Sequence, residues 1–113
     1  MRQRFLMNLR NGMLRKVRIV AEAEQQIEAV FSYISQESPE HALQWALAIK
    51  RAIERLADFP TSNPVVFDAR TAGTDVRRAL YGVYSIFYTI EGDDILVLAV
   101  RHVARRPIEP RSL

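Results

Sequence analysis

The chain has 113 residues, 49% of them hydrophobic and 26% charged, with a formal net charge of +3, the balance of one globular domain with a modest core and not of a disordered segment. It has no cysteine, and its only histidines are His41 and His102, which excludes disulfides, thiolate metal sites and multi-histidine metal sites and permits a reducing cytoplasm, the expected location. No apolar run approaches the roughly 18 residues that a spanning helix needs, so no membrane role is expected, and no cofactor or metal is called for.

The positive charge is segregated. Residues 1–20 carry Arg2, Arg4, Arg10, Arg15, Lys16 and Arg18 without an acid, a local +6 against −3 for the remainder. In residues 1–13 the apolar run Phe5, Leu6, Met7 is too short for the roughly 7–15-residue core of a secretory signal. A disordered N-terminal extension is expected there, or an upstream start with Met7 or Met13 as alternatives. From Leu14 to Val20, Val17 and Ile19 alternate with Lys16 and Arg18, the period of a strand with one wet face.

Ile27, Val30, Phe31 and Ile34 then fall on one face of a helix over about 22–36, and Glu22 and Glu24 suit the positive end of its dipole. A second helix opens at Ser38 and Pro39, an N-cap followed by a proline whose missing N–H is no loss in the first turn. Ala42, Trp45, Ala46, Ile49, Ala52, Ile53 and Leu56 repeat at helical spacing along it, and Pro60 ends it. Only "QESP" separates the two helices, so they form an antiparallel hairpin, with Trp45 read as core.

Residues 60–73 read as a loop, long for a domain of this size. Three strands follow over about 74–80, 83–90 and 94–103, with Gly82 turning the first pair and "EGDD" the second. The third strand is apolar on both faces until Arg101 and His102, which makes it central. Strict alternation places His102 with Leu96, Leu98 and Val100, and Arg101 on the opposite face with Ile95, Val97 and Ala99. The fold class is α+β in two layers: an N-terminal strand and a helical hairpin packed on a mainly antiparallel sheet of about four strands, with the other sheet face open. Residues 14–107 form the single domain, and 108–113 a C-terminal tail.

The segment "VRRALYGVYSIFYTIEGDDILVLAVRHVARRP" resembles the sheet half of the RelE/ParE superfamily of toxins. The features are Arg77 on the first of these strands, Tyr84, Ile86 and Tyr88 on the next, a short hairpin, and an apolar strand closing on valine, histidine and arginine. Upstream, the basic–apolar strand, the acidic first helix, "SPEHA" and "LADFP" are similar to the ParE branch. The resemblance spans about residues 14–107 and is carried by the order and spacing of all these features together.

Within that superfamily, RelE-type members cut messenger RNA on the ribosome. Attack of a 2′-OH on phosphate needs a base, cations for the phosphorane and a donor for the leaving oxygen. RelE-like sequences commonly carry arginine after the tyrosine matching Tyr84, where this chain has Ser85, and a tyrosine or histidine near the C-terminus, where it has "ARRPIEPRSL". The resemblance therefore implies a ParE-like toxin of a type II toxin–antitoxin system, a binding protein that inhibits DNA gyrase and is neutralised by a cognate antitoxin in a hetero-oligomer. Its expected target-binding residues are Arg77, Arg78, Tyr84, Arg101, His102, Arg105 and Arg106. The alternatives are a ribosome-dependent mRNA endoribonuclease, with Arg77, His102 and Arg105 improvised as the catalytic set, or an inactive member that only binds antitoxins.

Overall fold

The second helix shows how directly local chemistry shapes this chain. In the structure, a computed structural model that describes residues 3–10 and 13–104, Ser38 is the N-cap and its Oγ accepts the His41 N–H at 3.2 Å. Such a cap contributes on the order of 1 kcal/mol. From Pro39 to Arg55 the chain then forms α2. Its buried stripe of Ala42, Ile49 and Ile53 continues into Leu56 and Ala57, and each isoleucine so buried stabilises the fold by about 1.5–3 kcal/mol.

The remaining elements are β1 (Gln3–Arg10), β2 (Met13–Val20), α1 (Ala21–Ser35), β3 (Val65–Phe67), α3 (Ala69–Ala72), β4 (Val76–Tyr81), β5 (Tyr84–Glu91) and β6 (Asp94–His102). Among the described residues, the six strands form one sheet in the order β1-β2-β6-β5-β4-β3. All neighbours are antiparallel except β2 and β6, which run parallel with Val17, Ile19 opposite Ile95, Val97. The helical hairpin covers one face, as expected, and β6 is central. No helix among the described residues is long and apolar enough to cross a membrane.

Three features differ from the sequence reading. Residues 3–10, expected to be disordered, form β1, in continuous register with β2 from Gln3–Val20 to Arg10–Met13. The outer edge of β2 would otherwise expose a row of backbone donors and acceptors, and an extended segment two residues away in sequence pairs with them at little loop-closure cost.

The expected loop over 60–73 contains β3 and α3. Asp68 caps α3, accepting the Arg70 and Thr71 N–H groups. Those bonds, the Thr71 backbone bond foremost, hold its carboxyl below the usual aspartate range. Phe67 and Ala72 from this segment pack on Val76, Phe87 and Ala99, so the sheet face away from the hairpin is partly covered and not simply open.

The third difference is in β6. Tyr88 pairs with Val97 but Phe87 pairs with Ala99, so Leu98 is an extra residue, a bulge that shifts the alternation. Ile95 and Val97 consequently share the helix-covered core with Val100, Ile86, Tyr88, Ile49 and Ile53, while Ala99 lies on the far face. Strict parity had put Ile95 and Val97 on the face of Ala99.

Candidate interaction surface at the end of the sheet

Downstream of the bulge the alternation is regular, and it sorts the polar residues at the end of β6. His102 lies opposite Tyr84, and Arg101 opposite Ser85, whose other neighbour is Leu80. His102 and Arg101 thus point to opposite faces, as the sequence predicts.

On the helix side, Tyr84 meets Trp45 edge to face at 5.4 Å and His102 at 5.5 Å between ring centroids. Each such aromatic pair contributes about 0.5–1.5 kcal/mol beyond its buried area. His102 Nδ1 accepts the Ala104 N–H at 3.0 Å, which commits the proton of the neutral ring to Nε2. Tyr84, His102 and Ala104 also form one wall of a groove of about 720 Å³, whose other wall is α1 through Gln26, Ala29, Val30 and Tyr33.

On the far face, Leu80, Ser85 and Arg101 form a row across three strands, and Arg78 stands on the same face opposite Phe87. Leu80 is 62% exposed. Beside this row the Val103 N–H donates to the Val83 carbonyl at 2.8 Å, bringing together two more exposed valine side chains. Exposed apolar groups and two arginines are thus collected at the tip of the sheet. Leu80, Val83 and Val103 were not singled out from the sequence. Their signal, an apolar residue at a solvent-facing position of an alternating strand or turn, is legible only once the faces are known.

Arg77 does not join this group. It pairs with Tyr88, four residues along β5 from Tyr84 and about 13 Å away at strand rise. Its Nη1 donates to the carbonyls of Thr61 at 3.1 Å and Asn63 at 2.6 Å, pinning the loop after α2. Tyr88 is buried and does the same work there: its hydroxyl donates to the Pro60 carbonyl at 2.6 Å and accepts from Asn63 Nδ2 at 3.1 Å. The structure therefore brings Tyr84, Arg101 and His102 to one end of the sheet, with Arg78 nearby on the far face, and holds Arg77 apart. Arg105 and Arg106 lie outside the described residues.

Among solved structures, the chain is similar to one described as the chromosomal ParDE TA system from P. aeruginosa, with a TM-score of 0.62 and 18% identity over 75% of this chain and 91% of that one. At that identity the likeness speaks for the fold. No curated protein matches the chain. The family described as the ParE toxin of the type II toxin–antitoxin system parDE matches residues 17–107; with that match spanning β2 to the end of β6 and beyond, this chain belongs to the ParE toxin family.

Proposed function

We propose that the protein is the toxin of a type II toxin–antitoxin pair, that it arrests growth by binding DNA gyrase and trapping it on cleaved DNA, and that a cognate antitoxin neutralises it in a hetero-oligomer. The observation that carries the reading is the exposed tip of the sheet, where Arg78 and Arg101 share a face with Leu80. Apolar contact area beside forked guanidinium donors suits recognition of a protein surface or of phosphate. The target contacts assigned to this tip are Arg78, Arg101, Tyr84 and His102, with Arg105 and Arg106 following directly in the chain.

The endoribonuclease alternative draws less support from the geometry. Of its two arginines, Arg77 is engaged with two loop carbonyls far along the sheet from His102, and Arg105 lies outside the described residues. With Nδ1 of His102 taken by the Ala104 N–H, the neutral ring carries its proton on Nε2 and offers no free lone pair to receive one from a 2′-OH.

Purified full-length protein at micromolar excess is expected to block gyrase supercoiling and to accumulate cleaved DNA, and Arg101→Glu or Leu80→Glu is expected to raise the required concentration at least about tenfold, in the range of a hot-spot truncation. Unaltered supercoiling at that excess would overturn the gyrase assignment, and new cuts within codons in a translating extract would favour the nuclease.

A further inference from the structure

The N-terminal hairpin runs on past the rest of the sheet. β1 and β2 pair without interruption from Gln3–Val20 to Arg10–Met13, but β6 joins β2 only over Val17 to Ile19, opposite Ile95 to Val97. Met13 to Lys16 and their partners Met7 to Arg10 therefore have no strand neighbour but each other among the described residues. They form a two-stranded ribbon about 13 Å long at ordinary strand rise. Burial changes at the same place, since Val17 is fully buried and Lys16 is exposed. At the root of the ribbon the Lys16 N–H donates to Asp94 Oδ1 at 3.1 Å, and the Arg18 guanidinium meets Glu91 at 2.6 Å. These contacts anchor the ribbon to the turn between β5 and β6.

The ribbon carries Arg10, Arg15 and Lys16 and no acid, within a 20-residue segment that is itself free of acids. Arg15 stands opposite Asn8 and Arg10 opposite Met13, which makes the two arginines diagonal neighbours across the ribbon, about 7–8 Å apart. In the adjoining turn, Glu91 and Asp94 are held by Arg18 and by the Lys16 N–H. Asp93 is the turn's remaining acid, one against three cations. The family match begins at residue 17, where the ribbon ends, so the basic arm stands outside the part of the chain that the match covers. Because β2 runs parallel to β6, the ribbon leaves the sheet at the Asp94 end of β6. The exposed tip with Leu80 and Arg101 lies at the His102 end, about 26 Å of strand away.

We propose that this ribbon is a DNA-binding arm, which enters the major groove of a duplex and grips its phosphates through Arg10, Arg15 and Lys16. The major groove of B-form DNA is about 12 Å wide and admits a two-stranded β-ribbon, whereas the deep, narrow major groove of duplex RNA does not. Cations without competing acids bind phosphate by releasing its condensed counterions, a contact that needs no particular base sequence. Arginine adds forked donors that match phosphate oxygens. With the arm at one end of β6 and the exposed tip at the other, one molecule holds DNA and a protein at once. The inference goes beyond the gyrase reading and is tested on DNA alone.

The test uses the full chain, a labelled DNA duplex of mixed sequence and fluorescence anisotropy over a range of salt. Three phosphate contacts predict a slope of log affinity against log salt of about −2.7, or about a fortyfold loss between about 50 and 200 mM. Arg10→Gln with Arg15→Gln is expected to bring the slope to about −0.9 and to weaken binding at least about tenfold at the lower salt. Arg51→Gln with Arg55→Gln, two exposed positions on α2, is expected to leave both unchanged. Retained protection of the Val17 and Ile19 amides in hydrogen exchange shows that the hairpin of the variant is intact. Should it be lost, the exposed Lys16 is changed instead, and Lys16→Gln is expected to make the slope shallower by about 0.9. An unchanged slope in the arm variants, or an equal loss in the α2 variant, overturns the arm. A duplex RNA of the same sequence is expected to bind at least about tenfold more weakly, and equal binding overturns entry into the DNA groove. No binding to DNA at about 50 mM salt, or binding to vesicles of anionic lipid alone, overturns the inference and leaves the gyrase reading standing.

Discussion

Tyr88 and Arg77 face each other across β4 and β5, and both are spent on the loop after α2. Burial pushes the Tyr88 hydroxyl pKa upward from its ordinary value near 10, against the smaller opposing effects of the Asn63 hydrogen bond and the Arg77 charge. A group whose pKa is higher in the folded than in the unfolded chain contributes stability that is complete below the unfolded value and is lost as pH rises through the folded one. Thermal melts between pH 8 and pH 11 are therefore expected to show a midpoint that falls above about pH 10, and to show a shallower fall in Tyr88→Phe. At neutral pH the same substitution is expected to cost about 1–3 kcal/mol, because the two hydrogen bonds that the hydroxyl makes with the half-buried Asn63 amide and Pro60 carbonyl are lost. Both residues fit a family-like pattern on alternating strands, and their positions in the chain are legible. That a loop from the other layer folds back onto them is not, since no local spacing encodes which carbonyls a guanidinium will find.

At the scale of elements, α2 was the most legible, because its signals lie within one segment: Ser38 and Pro39 at the start and a helical repeat up to Leu56. β1 was the least. Its signal is the dipeptide Asn11-Gly12 between two extended runs, which favours a hairpin turn. Lys16 turns its N–H toward Asp94 at the start of β6, so alternation turns the Val17 and Ile19 amides toward β1. In a chain begun at Met13, hydrogen exchange at Val17 and Ile19 is expected to accelerate at least tenfold while Arg18, directed toward β6, keeps its protection. Equal rates in the two chains would mean that β1 does not guard this edge. The Arg18 pair with Glu91 at 2.6 Å also ties β2 to the β5–β6 turn, but a partly exposed ion pair adds little.

For the whole molecule, the two layers are joined through a small number of fully buried side chains. Ile53, 1% exposed, reaches from α2 into the cluster that includes Val17, Tyr88 and Val97. Ile53→Ala is expected to lower the stability in urea denaturation by about 2–5 kcal/mol through lost burial and the cavity left behind. Leu43, on the same helix but 57% exposed, is expected to change it by less than about 0.5 kcal/mol on substitution by alanine. Similar losses at the two positions would contradict the packing of α2 on the sheet.

By itself the sequence determined the two-layer α+β class, the helical hairpin, the centrality of β6 and the opposed directions of Arg101 and His102, because caps, turns and hydrophobic periods act over a few residues. Only the tertiary structure decided the bulge at Leu98, which moves Ile95 and Val97 to the face beneath the helices, and the return of residues 60–64 onto Arg77 and Tyr88. It also decided where along β2 the pairing with β6 begins, and so which stretch of the N-terminal hairpin is left as a two-stranded ribbon. Strand neighbours and registers are chosen by hydrogen bonds and packing between segments far apart in the chain, as between Val17 and Ile95. No local spacing carries that information, because one added residue in a strand reverses every face that follows it.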